Sequence, residues 1–445
     1  MSIYTAMRST ISARLDRDIA RLAIPALGAL AADPLVSMVD TVFVGRLGVV
    51  PLAALGVNTS IFAMAFVVFN FLAYGTTPLV ARAVGRGDRA AAGDVVMQAF
   101  LLAAIVGGAA MLLLELLAVP IVSLMGAGGE LRDPALSYLR IRALAGPAVL
   151  FVTAGHGAFR GYQDTRTPLL VTLGLNLVNL VLDPLFIFGF GWGLEGAAVA
   201  TLIAQWGGAL WFIHLLLRSR SRELGIQPRL PALSEIRPFL RVGGELALRT
   251  VALIGTLTLA TAVATRIGTV QVAAHQVATQ IWLLLAMTVD SLAVAAQALV
   301  AGYRGSGDAA MARRASNRLL GWGLISGIAL GGLFFLLAPV LPRLFTDEPA
   351  VLAAVAGIFP FIVAMQPLNA VVFVWDGVFI GAERFRFLAR QMAFSAACAA
   401  VILFLVLPLG WGLTGVWWGI VTLMVARAVT LAIAYRNPRL LSTGR

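Results

Sequence analysis

The sequence contains no lysine: all 33 of its basic residues are arginine. It has one cysteine and three histidines, and only 12% of its residues are charged. One cysteine, Cys398, excludes an internal disulfide, and its apolar surroundings make it a packing residue. His156, His214 and His275 match no metal-ligand spacing. There is no nucleotide-binding loop, nucleophile triad or CxxC pair, so neither an enzyme nor a cofactor is expected. The longest polar stretch, about residues 219–236, is too short for a soluble domain. The lead MSIYTAMRSTISARLDRDIA reads as a basic cytoplasmic segment rather than a cleavable signal.

What fills the chain is apolar. Hydrophobic residues make up 60% of it, and the mean hydropathy is +0.92, far from a soluble domain. Runs long enough to cross about 30 Å of hydrocarbon recur from end to end. The fold class is therefore all-α: a polytopic membrane protein with twelve transmembrane helices. They are expected near 20–44, 52–80, 94–119, 136–158, 168–190, 196–217, 239–264, 272–301, 317–341, 351–380, 387–408 and 413–434. The net charge of +12 does not signal nucleic acid, because the arginines alternate between loops. Twenty-five lie in every second loop and at the two ends, six in the opposite loops and span ends, and two, Arg249 and Arg427, within spans. That is the positive-inside pattern of a multi-pass plasma-membrane protein with both termini cytoplasmic.

The chain repeats itself. At a shift of 220 residues, 51–92 align with 271–312 without a gap, and 15 of the 42 positions are identical, among them Gly87/Gly307 and Asp88/Asp308. The same shift pairs Pro147 with Pro367, Gly157 with Gly377 and Gly161 with Gly381. A shift of 219 pairs GWGLEG (191–196) with GWGLTG (410–415). The expected organisation is two pseudo-symmetric six-helix bundles of like orientation: a first lobe, 1–218; a linker, 219–236; and a second lobe, 237–445. Parallel halves of this kind are a transporter design.

The halves differ in polarity. Asn176, Asn179 and Asp183 are spaced by three and four, on one helical face. Thr201 and, one turn on, Gln205 follow in the next span. Asp40 sits in the first span, with Asp33 two turns earlier on the same face and Met38 between them. A carboxyl group in hydrocarbon costs about 2.5–3.5 kcal/mol even on lenient scales. Yet Asp40 maps to Ala260, Asn176 and Asn179 to Ala396 and Ala399, Asp183 to Leu403 and Thr201 to Ile420. Polar glue between helices would be needed in both halves. The first half is therefore expected to house a buried proton or cation site at Asp40, Asn179, Asp183 and Thr201, supported by Asp33, Asn176, Gln205 and Met38. Pro25 and Pro34 each remove a backbone hydrogen bond from the first span and make it a candidate hinge. Glu245 and Arg249, one turn apart, read as a neutral internal pair.

The segments VDTVFVGRLG (39–48), LAALGVNTSIF (52–62), YLRIRALAGP (138–147), AFRGYQDTRTPL (158–169), NLVNLVLDPLFIFG (176–189), WGLEGAAVAT (192–201), VAAHQVATQI (272–281) and GAERFRFLARQ (381–391) together resemble the multidrug and toxic compound extrusion (MATE) family. The likeness runs nearly end to end and is strongest to its bacterial DinF-like branch. It implies the twelve-helix fold of the MOP superfamily, a V-shaped cleft between lobes, and export of lipophilic, mostly cationic small molecules in exchange for H+ or Na+ by a monomer in the bacterial inner membrane. It places the family's first-lobe cation site on Asp40, Asn179, Asp183 and Thr201, with sodium the one metal ion that set could hold. It places the bendable first helix on Pro25. The second-lobe acid of sodium-type members falls on Asn369, a departure that argues against a cation site there. Two other readings stay open: a flippase of lipid-linked saccharides, for which Arg249 is the one cue, and an uncoupled channel.

Overall fold

A computed structural model describes the backbone of residues 2–229 and 231–442, and side chains outside 2–11, 233, 234, 238, 284, 285 and 439. Residues 443–445, at the end of the expected second lobe, lie outside it. Seventeen α-helices form the structure, with no strand among the described residues. The first half holds α1 (Ser2–Gly45), α2 (Val49–Phe66), α3 (Phe71–Gly85), α4 (Arg89–Leu116), α5 (Ala118–Leu124), α6 (Arg132–Ala143), α7 (Gly146–Gly161), α8 (Arg166–Pro184) and α9 (Gly193–His214). The short α10 (Ser221–Leu224) leads to α11 (Leu233–Ile267), α12 (Thr269–Gly305), α13 (Ala309–Leu337), α14 (Pro349–Ala364), α15 (Gln366–Gly381), α16 (Phe385–Val406) and α17 (Gly412–Tyr435). Helix is the form that satisfies backbone N–H and C=O groups within a segment, as hydrocarbon demands.

Among the described residues, ten helical segments are long and apolar enough to cross a membrane, and twelve if each of two bent pairs counts as one span. Those pairs are 129–143 with 146–161, bent by 48°, and 349–364 with 366–381, bent by 51°. Both breaks sit before a proline in the first turn of the second helix, Pro147 and Pro367. A proline there gives up an N–H that has no helical partner anyway. The two bent spans occupy equivalent places in the repeat.

Local geometry repeats with the sequence. Asp88 accepts from the Ala91 N–H at 2.9 Å, and Asp308 from Met311 at 2.8 Å, so each caps its helix. Gly87 and Gly307 precede them with φ of 76° and 80°, a left-handed conformation that glycine adopts without strain. Close helix crossings repeat too. A side chain at Gly157 would meet the Ala73 backbone at 3.0 Å, and one at Gly377 would meet the Ala293 oxygen at 2.5 Å. Small residues thus let α7 lie on α3, and α15 on α12.

Two compact units result: 24–243, and 1–23 with 244–445. Helix α1 contributes to both. The 219–236 segment packs within the first unit, where Arg229 pairs with Asp94 at 2.9 Å and the Tyr162 hydroxyl donates to the Leu224 carbonyl at 2.7 Å.

Candidate functional site

Five elements of the 24–243 unit surround a cavity of about 340 Å³. Helix α1 lines it with Asp33, Val36, Ser37, Asp40 and Thr41, a stripe at helical spacing. Helix α2 adds Thr59 and Phe62, α6 adds Tyr138 and Arg142, α8 adds Asn176 and Asn179, and α9 adds Thr201 and Gln205. Asn58, fully buried on α2, fixes α6 by donating to the Ala135 carbonyl at 3.1 Å. That bond sets Tyr138 and Arg142, one and two turns on, toward the cavity.

Asp183 is fully buried in the last turn of α8, immediately before Pro184 and a π-helical turn over Leu185–Gly189. Such turns interrupt the regular ladder and are frequent at functional sites. Asn179, one turn earlier, donates through Nδ2 to Asp183 Oδ1 and to Thr201 Oγ1, both at 3.3 Å. The Thr201 hydroxyl donates to the Ala197 carbonyl at 2.9 Å, which leaves its oxygen to accept from Asn179. Asn176 donates to Asp33 Oδ1 at 3.0 Å.

The side chains of Asp40 and Asp183 act directly on one another. Yet Asp40 Oδ1 and Asp183 Oδ2 are buried with no donor in contact. Two ionised carboxylates have only acceptors to offer one another. A proton shared between them, or a small cation held by them, would give these oxygens a partner. The same oxygens, with those of Asn179 after an amide flip and of Thr201, are hard ligands of the type that suits Na+ or H3O+.

The structure therefore brings Asp33, Asp40, Asn176, Asn179, Thr201 and Gln205 to one cavity, with Asp183 behind Asn179, to which it is hydrogen-bonded. It does not bring Met38, which is 67% exposed and off the lining stripe of α1. Met38 lies on the face of α1 away from this cavity. Pro25 and Pro34 lie inside α1, which runs as one helix through both. Tyr138 and Arg142 were not anticipated. They stand four apart in YLRIR, a helical spacing that points both the same way, but Arg142 had been counted among the arginines flanking span ends.

The equivalent positions in the second half are filled with hydrocarbon. Ala260, Ala399 and Leu403 are fully buried, and Ile420 is nearly so. Asn369 is buried with neither amide atom hydrogen-bonded. Glu245 pairs with Arg386 at 3.2 Å, and Arg249 with Asp376 at 2.5 Å. Asp376 also accepts from the buried Arg427, so one carboxylate sits between two guanidinium groups.

A profile of the MatE family matches residues 25–185 and 247–405. The chain is 35% identical to Protein DETOXIFICATION 44, chloroplastic, of Arabidopsis thaliana over 434 residues, covering 94% of this chain and 81% of that protein. It is 28% identical to DNA damage-inducible protein F of Escherichia coli over 439 residues, covering 95% and 92%. A solved structure of a MOP superfamily transporter from Pyrococcus furiosus superposes with a TM-score of 0.88 at 24% identity, over 96% of this chain and 97% of that one.

Proposed function

Because the chain belongs to the MatE family of multidrug and toxin transporters, we propose that it is a secondary active antiporter, exporting lipophilic, mostly cationic compounds in exchange for H+ or Na+ by alternating access. The observation that supports the proposal is the Asp40–Asp183 pair: Asp40 lines the cavity, Asp183 is fully buried behind Asn179, and each keeps one buried oxygen without a donor. A carboxyl group this costly to bury is retained where it exchanges a cation. Asn179 and Thr201 complete the cation site, Asp33, Asn176 and Gln205 support it, and Pro25 and Pro34 let α1 bend as the ion enters and leaves. An inward-negative potential adds about 2.3 kcal/mol per charge per 100 mV to cation entry if the full field is crossed.

The placement in the DinF-like branch, the bacterial inner membrane, the cytoplasmic termini, the monomeric state and the two-lobe division at 219–236 belong to the same proposal. They rest on the motif set and the arginine pattern. The flippase reading loses its one cue, since Arg249 is engaged by Asp376.

The test is efflux of ethidium from proteoliposomes under an imposed proton or sodium gradient. The wild type should drive uphill efflux with one of the two gradients. Asp40→Asn should abolish it while leaving the protein folded. Undiminished uphill efflux in that variant would remove Asp40 from the coupling role.

A further inference from the structure

One charged group in the cavity has no part in the cation site as built so far. Arg142 reaches in from α6, and its Nε and Nη1 are buried without an acceptor. Across the same space, Asp40 Oδ1 and Asp183 Oδ2 are buried without a donor. The unmatched donors and unmatched acceptors are complementary in number and in charge. The guanidinium acts electrostatically on both acids, but it rests over the Phe62 ring at 5.0 Å from the centroid. A ring face is a partial substitute for a carboxylate. The remaining groups facing Arg142 are Tyr138 on its own helix, whose hydroxyl is hydrogen-bonded to the guanidinium, and Asp33 on α1. Asp33 is taken by Asn176, and α2, α8 and α9 bring no other charge to the cavity lining.

Arginine does not lose its proton in proteins, so this is a fixed positive charge beside a site for positive ions. A fixed like charge at this range weakens cation binding. A pump needs that, because a site that holds its ion too well cannot release it on the far side.

We propose that Arg142 is the release-determining residue of the cation site: its guanidinium moves between the Phe62 face and the Asp40–Asp183 oxygens, taking the place of the coupling cation as that cation leaves. The inference rests on the antiport reading above and deepens it. At rest the Arg142 guanidinium lies over the Phe62 ring. Arg142 is a positioning residue that competes with the ion for the same oxygens. With sodium no covalent bond is made or broken; with a proton, the carboxyl O–H breaks as the proton passes to water, and in both cases the guanidinium pairs with the carboxylate oxygens left behind.

The test uses the full chain in proteoliposomes, with protons in one arm and sodium in the other as the coupling-ion probe. The readouts are the ion concentration for half-maximal ethidium efflux and the maximal rate. Arg142→Gln should lower the half-saturating concentration of the active ion at least tenfold and slow the maximal rate, because binding tightens and release lags. Arg142→Lys, which keeps the charge, should restore half-saturation most of the way. Phe62→Leu, which removes the resting place of the guanidinium, should shift half-saturation in the opposite direction. A structural role alone would lower the maximal rate without moving half-saturation. Unchanged or raised half-saturation in Arg142→Gln would overturn the proposal. If that variant does not fold, unchanged half-saturation in Phe62→Leu overturns it instead. Efflux by the wild type that neither gradient drives would sink the antiport reading itself, and is told apart by the wild-type arm alone.

Discussion

At the scale of single residues, the Asp40–Asp183 pair decides the account, and most of it was legible in the sequence. Asn176, Asn179 and Asp183 share a helical face by spacing alone, and polar groups that recur in an apolar run must face something polar. Arg142 was not legible. An arginine four residues before Gly146–Pro147 reads as flanking a span end, and the long-range bond from Asn58 to Ala135 that sets its helix cannot be read from the sequence. Outside the membrane, Asp164 gives a prediction with a definite sign. Burial would raise its pKa, but hydrogen bonds from the Thr167 backbone and hydroxyl, with the Arg220 guanidinium at 2.9 Å, outweigh that and hold it below the ordinary carboxylate value. A carboxylate depressed in the folded state stabilises fully above its unfolded pKa, and that stabilisation is lost as pH falls through the folded value. Asp164→Asn should therefore cost about 1 kcal/mol near pH 7, and the difference should shrink below about pH 4. Thermal midpoints of the two proteins at several pH values check this; a gap that widens in acid would contradict it.

At the scale of elements, the span positions followed from run length and charge, because hydrocarbon leaves helix as the available form. The bends at 143–146 and 364–366 did not follow, since a run of apolar residues looks alike whether straight or broken. The Gly-Pro and Gln-Pro steps at 146–147 and 366–367 were the available cues. The close crossings were half legible: Gly157/Gly377 emerged as repeated positions, but which backbone they meet required the structure. At Gly377 a methyl group would lie 2.5 Å from the Ala293 oxygen, whereas at Gly357 nothing lies within 4 Å. Gly377→Ala should cost about 1–3 kcal/mol by overpacking. Gly357→Ala should be neutral or slightly stabilising, since alanine favours helix over glycine by about 1 kcal/mol. Thermal unfolding of both variants in detergent checks the pair; equal midpoints would show that the α12–α15 crossing tolerates a side chain.

At the scale of the molecule, a duplicated scaffold carries the candidate site in its first half. The repeat supplies paired caps, paired left-handed glycines and paired bent spans, while the buried acids that stand over a cavity occur in the first half. The second half balances Asp376 against Arg249 and Arg427 and fills the positions equivalent to Asp40, Asn179 and Asp183 with Ala260, Ala399 and Leu403. The sequence showed this inequality because an alignment of the chain with itself exposes every polar position lacking a polar counterpart. It could not show that α1 divides its length between two compact units at residues 23 and 24, directly before Pro25, because continuity of a helix hides which neighbours each part packs against.

The most direct measurement is the release of the bound cation when substrate binds. Purified protein is equilibrated at low buffering capacity with protons or with radioactive sodium, ethidium is added, and the released ion is counted. The wild type should release close to one cation per molecule of ethidium bound, and Asp183→Asn should bind ethidium but release none. Equal release from Asp183→Asn and wild type would contradict the central claim, because the ion would then reside somewhere other than between these two acids.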